Sequence, residues 1–261
     1  MKTALLVSTY NWPEALALVL KSVEQQSQLP DELLIADDGS TQETTKLIEE
    51  FKKRTRIHVI HVWHEDEGFK RSEILNKTVA QSNADYLIQT DGDCILHRNF
   101  IKDHKSFAKK GLYLYGSRVN IKQSHLDTLF SESQTNFSAF SKGIKKRTRA
   151  LHIPILSRLY GEKKELSKKL RGCNVSFWRA DFIAVNGYNE DMTGWGREDS
   201  ELVIRMVNYG ITGRRLRYRG IVFHIFHKTS SKSKLNINES IQQRAIDENL
   251  TRCKNGIDKY L

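Results

Sequence analysis

The sequence of 261 residues predicts an α/β protein built on a mostly parallel central sheet flanked by helices. Two observations carry this. Over the first 120 residues short apolar runs alternate with longer amphipathic ones, the pattern of successive βαβ units. Three polar clusters, Thr9-Tyr10-Asn11, Asp37-Asp38 and Asp91-Gly92-Asp93, each follow directly on an apolar run. Ligands of open α/β sheets collect at the carboxyl ends of the strands, so polar residues recurring there mark a binding site.

Taken in order, Thr3 to Ser8 reads as the first strand. Pro13 stands where a first helical turn tolerates it, and Ala15, Leu16, Val19, Leu20 and Val23 then recur at helical spacing. Glu32 to Ala36 is a second strand, ending in Asp37-Asp38-Gly39-Ser40. Ser40 and Glu43 together read as a capping box for a helix reaching Phe51. Ile57 to Trp63 is a third strand, Lys70 to Gln81 a helix, Tyr86 to Gln89 a fourth strand and Gly111 to Arg118 a further one. Order weakens over 121–171 and returns at Gly172, with a helix from Ser200 to Tyr209 on the spacing of Leu202, Val203, Met206 and Val207. Thr229 to Asn238 is polar and reads as a flexible loop; Glu239 to Leu261 reads as a closing helical region.

Composition narrows the classes. At 39% apolar residues the chain can bury a sizeable core, and its longest apolar stretches fall far below the roughly 20 residues of a membrane-spanning helix. Lys2 is followed by only a few apolar residues before polar Ser8-Thr9-Tyr10-Asn11, so no signal peptide is expected. Cys94, Cys173 and Cys253 are odd in number and scattered, which argues against a disulfide framework or zinc site and suits a reducing cytosol. The net charge of +11 is concentrated: residues 142–171 hold eleven Lys/Arg against Glu162 and Glu165, a local +9. Interrupted by Leu151, Ile153, Ile155, Leu156, Leu159 and Tyr160, this segment suits an anionic membrane surface or an acidic glycolipid better than a nucleic-acid groove. A solvated loop is the plainer reading of the same charge. No nucleic-acid-binding motif accompanies it.

Asp91-Gly92-Asp93 puts two carboxylates on one short turn after Tyr86-Leu87-Ile88-Gln89-Thr90. Mg²⁺ and Mn²⁺ prefer oxygen ligands and commonly bind through one or two carboxylates plus substrate phosphates, so a phosphate-bearing substrate is expected.

Val7-Ser8-Thr9-Tyr10-Asn11, Ala36-Asp37-Asp38-Gly39-Ser40 and Thr90-Asp91-Gly92-Asp93 resemble the A-type (GT-A) inverting glycosyltransferases of family 2. Gly172-Cys173-Asn174 and Gly194-Trp195-Gly196-Arg197-Glu198-Asp199 extend the likeness to the galactosyltransferase-like carboxyl-terminal region of chondroitin-polymerase-type enzymes. The resemblance implies a Rossmann-like GT-A fold in one continuous domain. Residues 1–120 would be the nucleotide-sugar half, 121–171 a basic insertion for membrane or acceptor contact, and 172–261 the catalytic and acceptor half. It implies Thr9, Tyr10, Asn11, Glu14, Asp37 and Asp38 at the nucleoside, Asp91 and Gly92 near the ribose, and Asp93 on Mn²⁺ or Mg²⁺ with His224. If Ile221 to His227 is extended, His224 and His227 point to opposite faces and only one reaches the metal. Asp199 matches the family's base, Glu198 a group binding sugar hydroxyls, and Trp195 an apolar platform for a sugar ring. Gly172 and Asn174 fall where relatives line the donor sugar. Two departures stand out: Leu75, before Asn76, and Trp12 occupy positions where relatives carry arginine, leaving Lys70 or Arg71 to contact the diphosphate.

The expected function is therefore metal-dependent transfer of a sugar (Glc, Gal, GlcNAc or GalNAc) from a UDP-sugar to a hydroxyl of a bacterial surface glycan or glycolipid precursor. The setting would be cytoplasmic, peripheral to the inner membrane face. A nucleotidyltransferase would instead need a Gly-rich basic phosphate loop where Tyr10-Asn11-Trp12-Pro13-Glu14 stands. A basic nucleic-acid-binding protein rests on charge alone, and a lectin-like module would have no use for Asp199.

Overall fold

The computed structural model describes residues 1–228 and 233–261. Thr3–Thr9 forms β1 and Pro13–Glu24 helix α1, with Pro13 in the first turn, where no backbone donor is needed. Glu32–Asp37 (β2), Gln42–Arg54 (α2), His58–Trp63 (β3), Arg71–Ala80 (α3) and Tyr86–Asp91 (β4) follow. Past Gly92-Asp93 come Cys94–Leu96 (β5), Phe100–Lys105 (α4), Leu112–Tyr115 (β6), Ser117–Ile121 (β7) and Leu126–Ser131 (α5). The basic segment contributes 3₁₀ turns and two short strands, Ile144–Lys145 (β8) and Glu162–Lys163 (β9). Val175–Trp178 (β10), Arg179–Ala184 (α6), Glu198–Asn208 (α7), Thr212–Arg215 (β11), Ile221–His224 (β12) and Leu235–Asp247 (α8) complete the order.

The larger sheet runs β3-β2-β1-β4-β10-β6-β11-β9. β3, β2, β1 and β4 are parallel, β10 is antiparallel to both β4 and β6, and β11 returns parallel to β6. Two reversals cancel, so β6 and β11 end on the same edge of the sheet as β1, β2 and β4. A second sheet, β5-β12-β7-β8, stands beside it.

Strands covered on both faces read as unbroken apolar runs. Along β1 and β2, Leu5, Val7, Leu33 and Ile35 pack with α1 (Leu16, Val19, Leu20) and α2 (Ile48, Phe51). Ala4, Leu6, Leu34 and Ala36 pack on the other face with α3 (Ile74, Leu75, Val79) and α7 (Leu202, Val203, Met206). Each fully buried Val, Leu, Ile, Phe or Met side chain among them contributes about 1.5–3 kcal/mol. A third cluster, Ala15, Leu18, Ile95, Val119 and Phe223 among it, seals α1 against the second sheet. His152 Nε2, 2.9 Å from Asp103 Oδ2, ties the basic segment to α4.

Four expectations need correction. The run Gly111 to Arg118 is two strands in different sheets, broken at Gly116, where any Cβ would collide with the Gly220 carbonyl and the Asn174 side chain. Ser40 does not cap α2: Thr41 is the cap residue and makes no side-chain cap bond, while the Ser40 hydroxyl accepts from the Asn11 N–H at 2.8 Å. The stretch Thr229 to Asn238 lies partly outside the described residues, and from Leu235 it is already helix, held because Leu235 and Asn238 pack on Gly196. That helix stops at Asp247; Ile257–Tyr260 is a separate 3₁₀ turn.

Candidate active site

The three polar strand ends meet. β2, β1 and β4 are neighbours, so Asp38, Thr9-Tyr10-Asn11 and Asp91-Gly92-Asp93 open onto one cleft of about 1430 Å³. Backbone bonds lock the loops: Asp38 N–H donates to the Thr9 carbonyl at 3.0 Å and Gly92 N–H to the Ser8 carbonyl at 2.7 Å. Asn11 adopts φ 44°, a left-handed conformation that Asn tolerates, and its Oδ1 accepts from Thr41 N–H at 2.8 Å. Asp38 accepts from Lys70 N–H at 3.1 Å and lies 2.8 Å from His64 Nε2; burial pushes its carboxyl above the ordinary value. The Tyr10 hydroxyl donates to Asp66 at 2.7 Å, holding a half-exposed ring at the mouth.

At the end of β4, Asp93 faces two imidazoles. His227 Nε2 lies 3.1 Å and His224 Nε2 3.4 Å from Asp93 Oδ2. The expected division of the two histidines between opposite faces fails, because β12 ends at His224 and the chain beyond it is no longer a strand. Burial alone would raise the Asp93 carboxyl, but the hydrogen bond to His227 and the charge on both rings hold it below the usual range. His227 is raised by its hydrogen bond to Asp93; His224 is lowered by burial. Carboxylate and rings are close enough to hold one cation.

Across the cleft, α7 begins with Glu198 and Asp199, where the helix dipole favours anions. Arg71 bridges the two walls: its Nη2 donates to Asp91 at 3.0 Å, and its Nη1 to Asp199 at 3.1 Å with Glu198 at 3.6 Å. The Tyr188 hydroxyl also donates to Asp199 Oδ1, at 2.9 Å, and itself accepts from Gln89 Nε2 at 2.7 Å. Both contacts fall on Oδ1; among the described residues no hydrogen bond reaches Oδ2, which lies against Gly172. Burial first, and Asp199 second, push the Glu198 carboxyl up to about 7. The Arg71 charge opposes both, from 3.6 Å. Gly172 is required here because a Cβ would overlap the Asp199 carboxylate. Trp195, 38% exposed, lies in the same wall.

Residues 4–160 match the family described as Glycosyl transferase family 2. The chain belongs to glycosyltransferase family 2. Residues 158–228 match a second family, described as the N-terminal domain of galactosyltransferase. A validoxylamine A glucosyltransferase of Streptomyces hygroscopicus subsp. limoneus is 26% identical over 220 residues, covering 80% of this chain and 48% of the relative. The hyaluronan synthase of Pasteurella multocida is 25% identical over 227 residues, 79% of this chain and 23% of the relative. The chondroitin synthase of Escherichia coli is 23% identical over 224 residues, 79% and 32% respectively. The chain thus spans half or less of the length of these relatives. Among solved structures, residues 1–349 of S. aureus TarS in complex with UDP match with TM-score 0.64 at 14% identity, over 100% of this chain and 68% of that one. The mannosyltransferase PcManGT from Pyrobaculum calidifontis, in complex with GDP-Man and Mn²⁺, matches with TM-score 0.61 at 15% identity, over 92% and 61%. These likenesses show the fold, that of the A-type glycosyltransferases.

In this family 2 chain several residues singled out from the motifs stand away from the cleft. Glu14 is exposed on the first turn of α1 and does not line it. Asp37 is fully buried behind it, accepting from Ser40 N–H at 2.9 Å and lying 3.1 Å from His61 Nε2. The Lys70 ammonium turns to Glu67 and Glu73. Asn76 is buried and spent on the Tyr188 backbone, accepting its N–H and donating to its carbonyl, each at 2.8 Å. Asn174 is buried between the Ser117 and Gly220 carbonyls and His104. None of these side chains lines the cleft.

Sequence reasoning missed Tyr188, Arg118 and the face of α8 that brings Leu235 and Gln242 to the rim. Leu235, Asn238 and Gln242 do recur at helical spacing, a signal obscured by the polar residues before them. Tyr188 and Arg118 carry no local pattern.

Proposed function

We propose that the protein is an inverting, metal-dependent glycosyltransferase that moves a hexose from a UDP-sugar to a hydroxyl of a surface glycan or glycolipid precursor. One observation carries the reading: Asp93 and His227, grouped with His224 as a metal-ligand set, and a helix-start carboxylate, Asp199, line one cleft with Arg71 between them. Residues 1–120 supply the donor site, with Thr9, Tyr10 and Asp38 at the nucleoside; residues 172–261 supply the base and the acceptor wall.

One carboxylate with two imidazoles is a mixed oxygen and nitrogen donor set, which fits Mn²⁺ better than the oxygen-seeking Mg²⁺. When bound, the cation neutralises charge on the departing nucleoside diphosphate. Arg71 adds the positive charge that Leu75 does not provide. Asp199 is held by Arg71 and Tyr188 through Oδ1, so Oδ2 accepts the proton of the acceptor hydroxyl as it attacks the anomeric carbon from the face opposite the leaving group. Glu198, with its carboxyl raised to about 7, binds sugar hydroxyls, and Trp195 offers a ring face to the sugar.

A panel of UDP-Glc, UDP-Gal, UDP-GlcNAc, UDP-GalNAc and a GDP-sugar, scored for Mn²⁺-dependent nucleotide release, tests this reading. Release from one UDP-sugar, lost in Asp199→Ala with UDP binding retained, is expected. Binding of none of these donors would refute it. No helix among the described residues is long and apolar enough to cross a membrane. Exposed Ile155 and Leu159 within the basic segment support peripheral contact with an anionic inner membrane face, a cytoplasmic setting for the donor reaction. Equal sedimentation with neutral and anionic vesicles would remove that contact.

A further inference from the structure

A second charged feature adjoins the cleft, made from segments far apart in the chain. Arg118 lies on β7, Lys146 and Arg149 follow β8, Arg171 precedes Gly172, and Arg215 and Arg217 lie at and just beyond the end of β11. Arg149 Nη1 donates to the Arg118 carbonyl at 3.2 Å, fixing one guanidinium over the other's strand. Burial and then the neighbouring Arg215, Arg171, Arg217 and Arg118 depress the Arg149 guanidinium, while Arg149 chiefly depresses the Lys146 ammonium. Among the described residues, no carboxylate forms an ion pair with any of these six; the ion-paired cations nearby are Lys109 and Arg219. Arg215 Nε and Arg217 Nη1 are buried with no hydrogen-bond partner. Asp91 offsets part of the charge at Arg118, and the Arg217 guanidinium lies over the Tyr218 ring at 4.5 Å; the remaining cations, with buried donors that lack hydrogen bonds, repel one another and cost stability unless an anion joins them.

Topology places this cluster on the acceptor side. β11 ends on the same edge of the large sheet as β4, three strands away in the order β4-β10-β6-β11. At about 4.8 Å per strand that is roughly 14 Å from Asp93, too far to serve the same diphosphate. Arg118, Lys168 and Arg171 line the cleft between the two positions, and Arg171 adjoins Gly172, against which Asp199 rests.

We infer that Arg149, Arg215 and Arg217, with Arg118 and Arg171 leading from them to Asp199, form an anion subsite that seats a phosphate group carried by the acceptor glycan. The inference rests on the glycosyltransferase reading and specifies its acceptor: a phosphorylated sugar or phosphodiester-linked glycan whose reacting hydroxyl lies one or two sugar units from the phosphate. Guanidinium forks suit phosphate oxygens in pairs, and Arg118 and Arg171 of this cluster line the concave cleft, which a flat lipid surface does not enter.

The test uses the full chain saturated with UDP and Mn²⁺, so that the donor diphosphate site is filled. Glucose 6-phosphate, glucose, and phosphatidylglycerol or phosphatidylcholine vesicles are then the probes, read by calorimetry and sedimentation. Glucose 6-phosphate should bind at millimolar concentration, glucose should not, and binding should weaken as ionic strength rises. Arg215→Ala/Arg217→Ala should weaken it by at least about tenfold with UDP affinity unchanged. Arg149→Glu, at a half-buried position, should do the same if the double variant fails to fold. The inference is overturned if no sugar phosphate binds, if UDP displaces it, if these variants leave its affinity unchanged, or if they abolish only vesicle binding. Loss of UDP affinity in the wild-type chain would instead refute the glycosyltransferase reading and leave the anion subsite standing.

Discussion

Gly172→Ala isolates the working carboxylate with a single methyl group. Gly172 does not occupy the left-handed region, so alanine adds no backbone strain, and the whole effect falls on what its Cβ meets, the Asp199 carboxylate. To reach ordinary van der Waals separation that carboxylate must retreat by about 1–1.5 Å. Its bonds to Arg71, at 3.1 Å, and to the Tyr188 hydroxyl, at 2.9 Å, then both stretch beyond hydrogen-bond range. Losing them should cost about 1–3 kcal/mol of stability, a few degrees in Tm. A displacement of this size at a reacting group costs about 10²-fold in turnover. The assay is Mn²⁺-dependent UDP release from the productive UDP-sugar, with UDP affinity by calorimetry as the control. Kd should hold while kcat falls about a hundredfold. Asp199→Asn, which keeps the space but removes the charge, should fall similarly, and the double variant should be no worse than either. Wild-type kcat in Gly172→Ala would refute the assignment of Asp199 as the base.

Other outcomes follow from the same geometry. Asp93→Ala or His227→Ala should weaken Mn²⁺-dependent UDP binding by at least about tenfold, and equal UDP affinity with and without Mn²⁺ in wild type would contradict the metal set. Glu198 carries a pH signature: its folded carboxyl, near 7 against an ordinary 4.5, binds a proton more tightly than the unfolded chain does. Stability from this group is therefore present below about 4.5 and lost as pH rises through 7, a swing on the order of 3 kcal/mol. Glu198→Gln should accordingly gain in Tm relative to wild type between pH 5 and 8; parallel melting curves across that range would count against the burial argument. Asn76→Ala, which removes two bonds to the Tyr188 backbone, should lower stability by about 1–3 kcal/mol with little change in UDP affinity, checked by urea unfolding and calorimetry.

The strands and helices of the first half were legible because each is governed by local pattern. Strands β1, β2 and β4 are apolar runs covered on both faces, and the polar residues just past their carboxyl ends, Tyr10, Asp38 and Asp93, open onto the cleft. Asp38, Asp93, Asp199 and Trp195, singled out from motifs, all line the one cleft. The basic segment and α8 were not, since neither has an apolar period strong enough to declare its ends.

What sequence alone determined was the list of chemical groups and the strand ends that carry them, because side-chain period and turn chemistry are short-range properties. Only the tertiary structure decided which groups meet. Arg71 reaches Asp91, 20 positions on, and Asp199, 128 positions on; His224 and His227 converge because the strand stops between them; Asn76 and Asn174 face inward to backbone partners. The six cations that form no ion pair among the described residues come together from four separate stretches of chain. Each of these meetings depends on sheet order and on how helices pack across it, and that is settled by the burial of the whole apolar surface, not by any residue's neighbours in the chain.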